Sequence, residues 1–523
     1  MTPLAGTGRL VRLALRRDRV LLPVWILGLV VLAVTSAAAT GGLFADTESL
    51  VRAAESMNAS PAMVAVYGRV HDTASLGAVA MLKALGSGAA LVAVFAITLV
   101  VRHSRGDEES GRGELVGSTV VGRLAPLTAA LAVAGGAVVV LGLVTALGVA
   151  ASGLPVAGSF AFGLAWVCIG TAFAATAAVT AQVARGARAA TGLALAALGV
   201  AYLVRAVGDA VGPAWLSWLS PFHWGHQVRP FAGDRWWVAV VALGCAAALT
   251  VAAFRLAARR DLGAGVLAER HGPAHARFHG PLGLAWRLQR GALAAWAVGF
   301  TLYGLLVGSV ASSLGDMLDT PAAREVFTRL GGEKGLSDAV LTAMFGFLGV
   351  LAAAYGIQAA KHLDTEETSG RLHALLAVPL GRTRWAAGHL AIAFGGTAAL
   401  LLCAGTATGA IRAAQTGDRS VFGDVLTGAL VQVPAAWVLT GLVVLVHGLA
   451  PRATAVTWAL FAALLLLGEL GPLLDLDHRL LDLSPFTHVP EPPVTATPLL
   501  WLTTVAALLT AAGLAALRGR DIR

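Results

Sequence analysis

Residues 124–151 read LAPLTAALAVAGGAVVVLGLVTALGVAA, a run with no charged side chain and no alternation of polar with apolar residues. About 20 apolar residues let a helix cross the ~30 Å hydrocarbon layer of a bilayer, and only helices or closed barrels satisfy their backbones there. The ten-residue alternation of a barrel strand is missing, which leaves the helix. The same reading recurs along the chain. Spans are predicted at 20–40, 80–101, 124–151, 160–184, 191–209 and 236–256, then at 292–313, 339–360, 385–410, 423–449, 453–473 and 499–517. The expected fold is all-α: a polytopic membrane protein with twelve transmembrane helices.

Composition points the same way. Of 523 residues, 57% are hydrophobic and 13% charged, whereas a soluble domain has roughly 45–50% and about 25%. That leaves too little charge to cover a water-facing surface, and it also excludes disorder, collagen-like repeats, coiled coil and a secreted disulfide scaffold. The net charge of +9 lies beside apolar spans instead of in one basic domain, so it reads as orientation in the lipid bilayer and not as a nucleic-acid partner. With the N-terminus cytoplasmic, 26 of the 38 lysines and arginines fall on the inner side. Both termini are then expected to be cytoplasmic, in a cell's inner (plasma) membrane. The basic segment Arg9, Arg12, Arg16, Arg17, Arg19 precedes an apolar stretch too long for a cleavable signal.

Several chemistries find no residues to carry them. Cys168, Cys245 and Cys403 each stand alone in an apolar run, so no metal site or disulfide framework is expected. A phosphate-cradling loop needs Gly-Lys-Ser/Thr, but the residues before Lys83, Lys334 and Lys361 are Leu82, Glu333 and Ala360. No catalytic constellation is present, so a transport subunit is expected and not an enzyme. His223 and His226 near Asp234 could suggest a metal, but among Trp215, Trp218, Trp224, Trp236 and Trp237 they read as interface-belt residues. Arg205 and Asp209, four apart near the outer end of a span, are expected to pair, Lys83 to snorkel outward, and Asp424 and Glu469 to sit toward outer ends. The alternative class, a proton-coupled secondary multidrug transporter with two six-span halves, would want a protonatable residue at mid-span.

The chain repeats itself. Arg102-His103, Glu108-Glu109-Ser110-Gly111-Arg112 and Gly122-Arg123 return as Lys361-His362, Glu367-Thr368-Ser369-Gly370-Arg371 and Gly381-Arg382, each 259 positions on. Arg16, Arg19, Trp25 and Gly28 return 271 positions on as Arg287, Arg290, Trp296 and Gly299. Ser220-Pro221-Phe222 precedes the last span of one half and Ser484-Pro485-Phe486 that of the other, and the halves end in Arg260-Asp261 and Arg520-Asp521. Chance similarity of Ala/Leu sequence does not match charged positions. The expected organisation is a six-span repeat over 1–256, a cytoplasmic linker over 257–284 and a second six-span repeat over 285–523. An even number of crossings gives both repeats one orientation.

In each repeat the loop after the second span has acids at the start of a helical stretch, where they complement its dipole. Glu108 with Arg112 and Glu367 with Arg371 have the spacing of acid-first ion pairs. Leu115, Val116 and Thr119, or Leu372, Leu375 and Leu376, supply an apolar side. A rigid amphipathic helix is predicted, apolar side toward the membrane and charged side toward a soluble partner.

The pattern Glu-Glu-x-x-Gly-Arg, then x-x-x-Leu-Leu-x-x-Pro and Arg, best preserved over 366–382, resembles the coupling-helix region of ABC transporter type 2 permeases. The duplicated length with Ser-Pro-Phe before each last span is similar to their branch of exporters of polyketide antibiotics. The resemblance implies a permease driven by two copies of a separate soluble ATP-binding subunit, with Mg-ATP on that partner and no cofactor on this chain. It implies export of hydrophobic or amphipathic small molecules, with Glu108, Gly111, Arg112, Glu366, Glu367, Gly370 and Arg371 in partner coupling. Ser220, Pro221, Phe222, Ser484, Pro485 and Phe486 would form outer-loop segments capping the pathway. The first loop departs from the pattern: Gly113 and Glu114 replace the usual leucine start, and no proline stands where Pro379 does.

Overall fold

The computed structural model describes residues 2–41, 46–59, 61–210, 212–261, 263–266, 280–317, 332–377, 379–453, 456–461, 482–490 and 494–521. Among these every regular element is helical, and eleven helices are long and apolar enough to cross a membrane. The protein is an all-α polytopic membrane protein. The expected span at 453–473 lies mostly outside the described residues, as do Glu469 and residues 267–279 of the expected linker. The chain divides into two compact units, Met1–His271 and Gly272–Arg523.

In the first unit, Thr7–Arg17 is an amphipathic helix that buries Ala14 and carries Arg16 and Arg17 in its last turn. It runs into Leu21–Gly41, whose Val24, Leu27 and Val31 are exposed, as lipid contact requires. The turn between them is fixed by Asp18, fully buried, which meets His103 and, at 3.0 Å, Arg102. Leu76–Lys83 and Ala89–Arg102 are joined by a π-helical turn, Ala84–Gly88, where the Trp166 indole donates to the Ala84 carbonyl at 3.2 Å. A wider turn frees a carbonyl from the helical ladder, and the indole takes it. Val156–Val183 is the central helix. Gly163 on it faces Gly142 of Ala125–Ala151 so closely that a Cβ on either would strike the other's carbonyl, the small-residue contact that lets membrane helices approach. Ala187–Ala210 and Val238–Arg259 complete the unit.

The second unit contains Gly280–Met317, Gly332–Ala360, Arg382–Thr416, Ser420–Leu430, Val433–Leu449 and Ala496–Gly519. The break before Val433–Leu449 coincides with Pro434, which has no N–H for the helical ladder. Gly448 and Gly513 repeat the close backbone approach, here between Val433–Leu449 and Ala496–Gly519.

Candidate functional site

The loops after the second apolar helix of each unit are not single rods, as the sequence predicts. Each is two short helices with an elbow: Arg105–Glu109 and Arg112–Gly117 in the first unit, His362–Thr368 and Arg371–Leu376 in the second. The elbow residue is Gly111 (φ +74°) or Gly370 (φ +71°), a left-handed conformation that costs a side-chain-bearing residue about 1–2 kcal/mol. The break is local chemistry, and the sequence hides it because the acids and leucines keep helical spacing across it.

The expected ion pairs within the loops are replaced by others. In the first unit both oxygens of Glu108 accept from Arg260, at 2.6 and 3.0 Å, and Arg105 donates at 2.8 Å. Arg112 instead lies 3.5 Å from Asp107. Arg105 is 1% exposed and also donates to the Ala181 carbonyl, one of the orphan acceptors ending Val156–Val183. Arg260 reaches Gln182 at 2.7 Å, and Arg123 donates to the Arg260 carbonyl at 2.7 Å. Glu109 accepts from the Ala187 amide at 2.8 Å, a carboxylate at a helix N-terminus.

The second unit has the same plan. Both oxygens of Glu367 accept from Arg520 at 2.6 Å, and Arg382 donates to the Arg520 carbonyl at 2.6 Å. His447 stands where Gln182 does, 3.4 Å from both the Glu367 carboxylate and Arg520. Arg371 is thus not the partner expected for Glu367, and it donates to Ser369 at 2.8 Å. Glu366 accepts from the Trp385 indole at 2.8 Å and meets His389 at 3.2 Å, and Gln289 reaches the other nitrogen of His389 at 3.0 Å. Arg260 and Arg520 each follow the last apolar helix of their unit with nearly identical extended backbones, φ −105°, ψ 154° and φ −99°, ψ 156°.

The seven coupling candidates therefore separate into two groups. Glu108, Glu366 and Glu367 form roots turned into their own unit; Glu366 and Glu367 are each 3% exposed, so they do not present their charge to a partner as the sequence predicts. Gly111, Arg112, Gly370 and Arg371 form the tips, where both arginines are exposed. The apolar sides also differ. Leu372 is buried beside Leu363 and Trp385, but Leu115 is exposed. Sequence reasoning noted Arg260 and Arg520 only as repeated tails and missed Trp385, His389, Gln182 and His447. Equal spacing of Glu108 to Arg260 and Glu367 to Arg520, within one residue, is the signal that could have linked them.

At the opposite end of the first unit, Ser220 caps Pro221–Gln227 and donates to the Ala201 carbonyl at 2.7 Å. Phe222 is fully buried against Phe173 and Tyr202, and Trp224 is buried too, while Trp215, Trp236 and Trp237 stay exposed. The belt reading expected for His223 and His226 fails, since both are buried with Phe222. His223 meets Asp209 at 3.1 Å, and Asp234 accepts from the Phe231 amide, so the suspected histidine–Asp234 grouping is not assembled. No three metal-ligating side chains cluster among the described residues. Arg205 lies 3.9 Å from Asp209 but donates chiefly to the Ala65 and Val66 carbonyls, at 2.6 and 3.0 Å. His226 is buried under Gly68, and burial, with the Arg205 guanidinium nearby, holds its imidazole well below the ordinary histidine range. Lys83 and Asp424 are exposed. In the second unit, Ser484 and Pro485 are buried and open a short 3₁₀ turn, Pro485–His488, with Phe486 against the core at Gly349.

Comparison with known proteins gives a consistent pair of matches. The family model described as "Multidrug efflux system permease Rv1217c, C-terminal domain" matches residues 8–256 and 278–518. The multidrug efflux system permease protein Rv1217c of Mycobacterium tuberculosis is 46% identical over 526 residues, covering 99% of this chain and 95% of that protein.

Proposed function

The chain belongs to the family of permeases similar to Rv1217c, and from that premise we propose that it is the membrane-spanning subunit of an ATP-driven exporter of hydrophobic or amphipathic small molecules. Two copies of a separate soluble ATPase bind Mg-ATP and engage the two loop tips at the cytoplasmic face of the inner (plasma) membrane, where both termini also lie. The chain itself holds no cofactor. Its two six-span halves, 1–256 and 285–523, joined by the 257–284 linker, each supply one loop.

The observation that carries this reading is the pair of roots. In both units a two-pronged Glu–Arg bond ties the loop to the residue that ends the last apolar helix. Charge-assisted, bidentate bonds fix orientation as well as distance. A tip pushed by a closing nucleotide dimer therefore drags a membrane helix with it and does not fold aside. Such a linkage converts a change at one surface into movement of a packed helix.

Proton coupling would place a titratable group at mid-span. The buried carboxylates among the described residues, Asp18, Glu366 and Glu367, sit at helix ends. Co-purification with the ATPase encoded beside it, followed by efflux assays in vesicles, tests the proposal. Efflux should vanish on mutation of the partner's phosphate-binding lysine and persist with a protonophore; the reverse pattern overturns it.

A further inference from the structure

The two roots differ in what fills them. In the second unit Trp385, 1% exposed, and His389, fully buried, occupy the interior between the loop and the start of Arg382–Thr416. The repeat places Pro126 and Ala130 at the corresponding positions of the first unit. There the space is open: a cavity of about 510 Å³ lies between Thr7–Arg17, the loop and the start of Ala125–Ala151. That size is within the ~300–1,000 Å³ usual for small-molecule sites.

Leu10, Leu13, Leu115 and Pro126 give it an apolar wall, and Leu13 and Leu115 are largely exposed within it. Its charged rim is unbalanced. Arg17 is taken up by Asp107 and Arg260 by Glu108. Arg112 is only 3.5 Å from an already paired Asp107, and Arg123 spends one Nη on a carbonyl, so two exposed guanidiniums remain as a surplus. Thr7–Arg17, with leucines on one side and arginines on the other, is the kind of helix that lies in a membrane–water interface. The smaller space in the second unit, about 430 Å³, is bounded by Pro281, Leu284, Leu375, Pro379 and Leu380 with Arg384 as its one charge.

We propose that the first unit holds an anionic membrane lipid at this end, with an acyl chain in the cavity and its phosphate between Arg112 and Arg123. An apolar slot opening on a cationic rim at the interface fits such an amphiphile, since arginine pairs with phosphate through two parallel bonds. The second unit's recess is smaller, has Trp385 on its wall and offers Arg384 as its one charge, so it lacks a pair of guanidiniums for a phosphate. Arg112 is also a tip residue of the reading above, so the lipid is tested on the chain alone, without an ATPase.

The test uses the full chain in nanodiscs with a photoreactive acyl-chain phosphatidylglycerol, or the phosphatidylcholine of the same chain, and maps the labelled peptides. Labelling should fall on 10–17 and 112–130, at least fivefold above 280–284 and 375–385, and at least fivefold stronger for phosphatidylglycerol. Pro126→Trp should reduce it at least fivefold. Arg112→Ala, a surface change that leaves the fold untouched, should abolish the preference between the two lipids. Equal labelling of both units, no lipid preference in the unaltered protein, or displacement by a transported drug but not by unlabelled phosphatidylglycerol would each overturn the proposal. The last of these would identify a cargo site.

Discussion

The first and second roots share a clamp and differ in the side chains packed around it. Both join a glutamate to the arginine after the last apolar helix through two hydrogen bonds. In the first unit the glutamate keeps some solvent, with its side chain 17% exposed, and has Arg105 as a second cation. In the second it is 3% exposed, with a histidine as its other neighbour. The lesson is that one clamp is set in two different packings, the first beside a cavity of about 510 Å³ and the second beside one of about 430 Å³ narrowed by Trp385.

The contrast is sharpest if one clamp partner is removed. Arg520→Ala leaves Glu367 charged and buried, a loss worth about 3–5 kcal/mol, and should lower the thermal unfolding midpoint in detergent strongly. Arg260→Ala leaves Glu108 with Arg105 and some water, so a smaller loss of about 1–3 kcal/mol is expected. Equal shifts in the two variants would show that the roots are energetically alike and break the comparison.

Trp385→Phe keeps most of the filling volume but deprives buried Glu366 of its indole donor, for about 1–3 kcal/mol; no change at position 126 of the hollow root should match it. Acid should weaken the far end of the first unit, where burial holds both His226 and His71 below the ordinary histidine range. His226 has a folded-state pKa below that of the unfolded chain, with Arg205, Asp209, His71 and His223 around it. The unfolded chain therefore takes up the proton first, and stability drops as pH falls below about 6.5. Melting curves at pH 7 and pH 5 should show this drop, and His226→Gln should make it smaller.

Gly111→Ala and Gly370→Ala should each cost about 1 kcal/mol, and equally, because the elbow is common to both loops. The smallest stability effects belong to the tips. Arg112→Glu and Arg371→Glu should shift unfolding by under about 0.5 kcal/mol yet reduce ATPase co-purification. An unchanged yield of complex from both would argue against the tips as the contact.

The sequence made the membrane class legible because helical spans in lipid need long uninterrupted apolar runs, and residues 124–151 are one. The repeat was legible through its charged positions, which survive where Ala and Leu drift. Side-chain direction was not legible. Glu367 and Arg371 have ideal spacing for a pair, but a left-handed glycine between them turns the chain, and Arg520, distant in sequence, offers the better two-pronged bond. Likewise Phe222 sits among tryptophans in sequence and yet packs into the core, since its direction is set by the Ser220 cap and not by its neighbours' composition. The larger hollow in the first root is legible only by comparison: Pro126 and Ala130 mean little until the bulkier Trp385 and His389 are seen at the matching positions.

Where Arg520 stands has a practical corollary. Arg520 follows Gly519 with an extended backbone just beyond its helix, as Arg260 follows Arg259. Cleaving the bond between Gly519 and Arg520 would part Glu367 from its two-pronged partner while leaving Glu108 with Arg260, so the two clamps can be separated by one break in the chain.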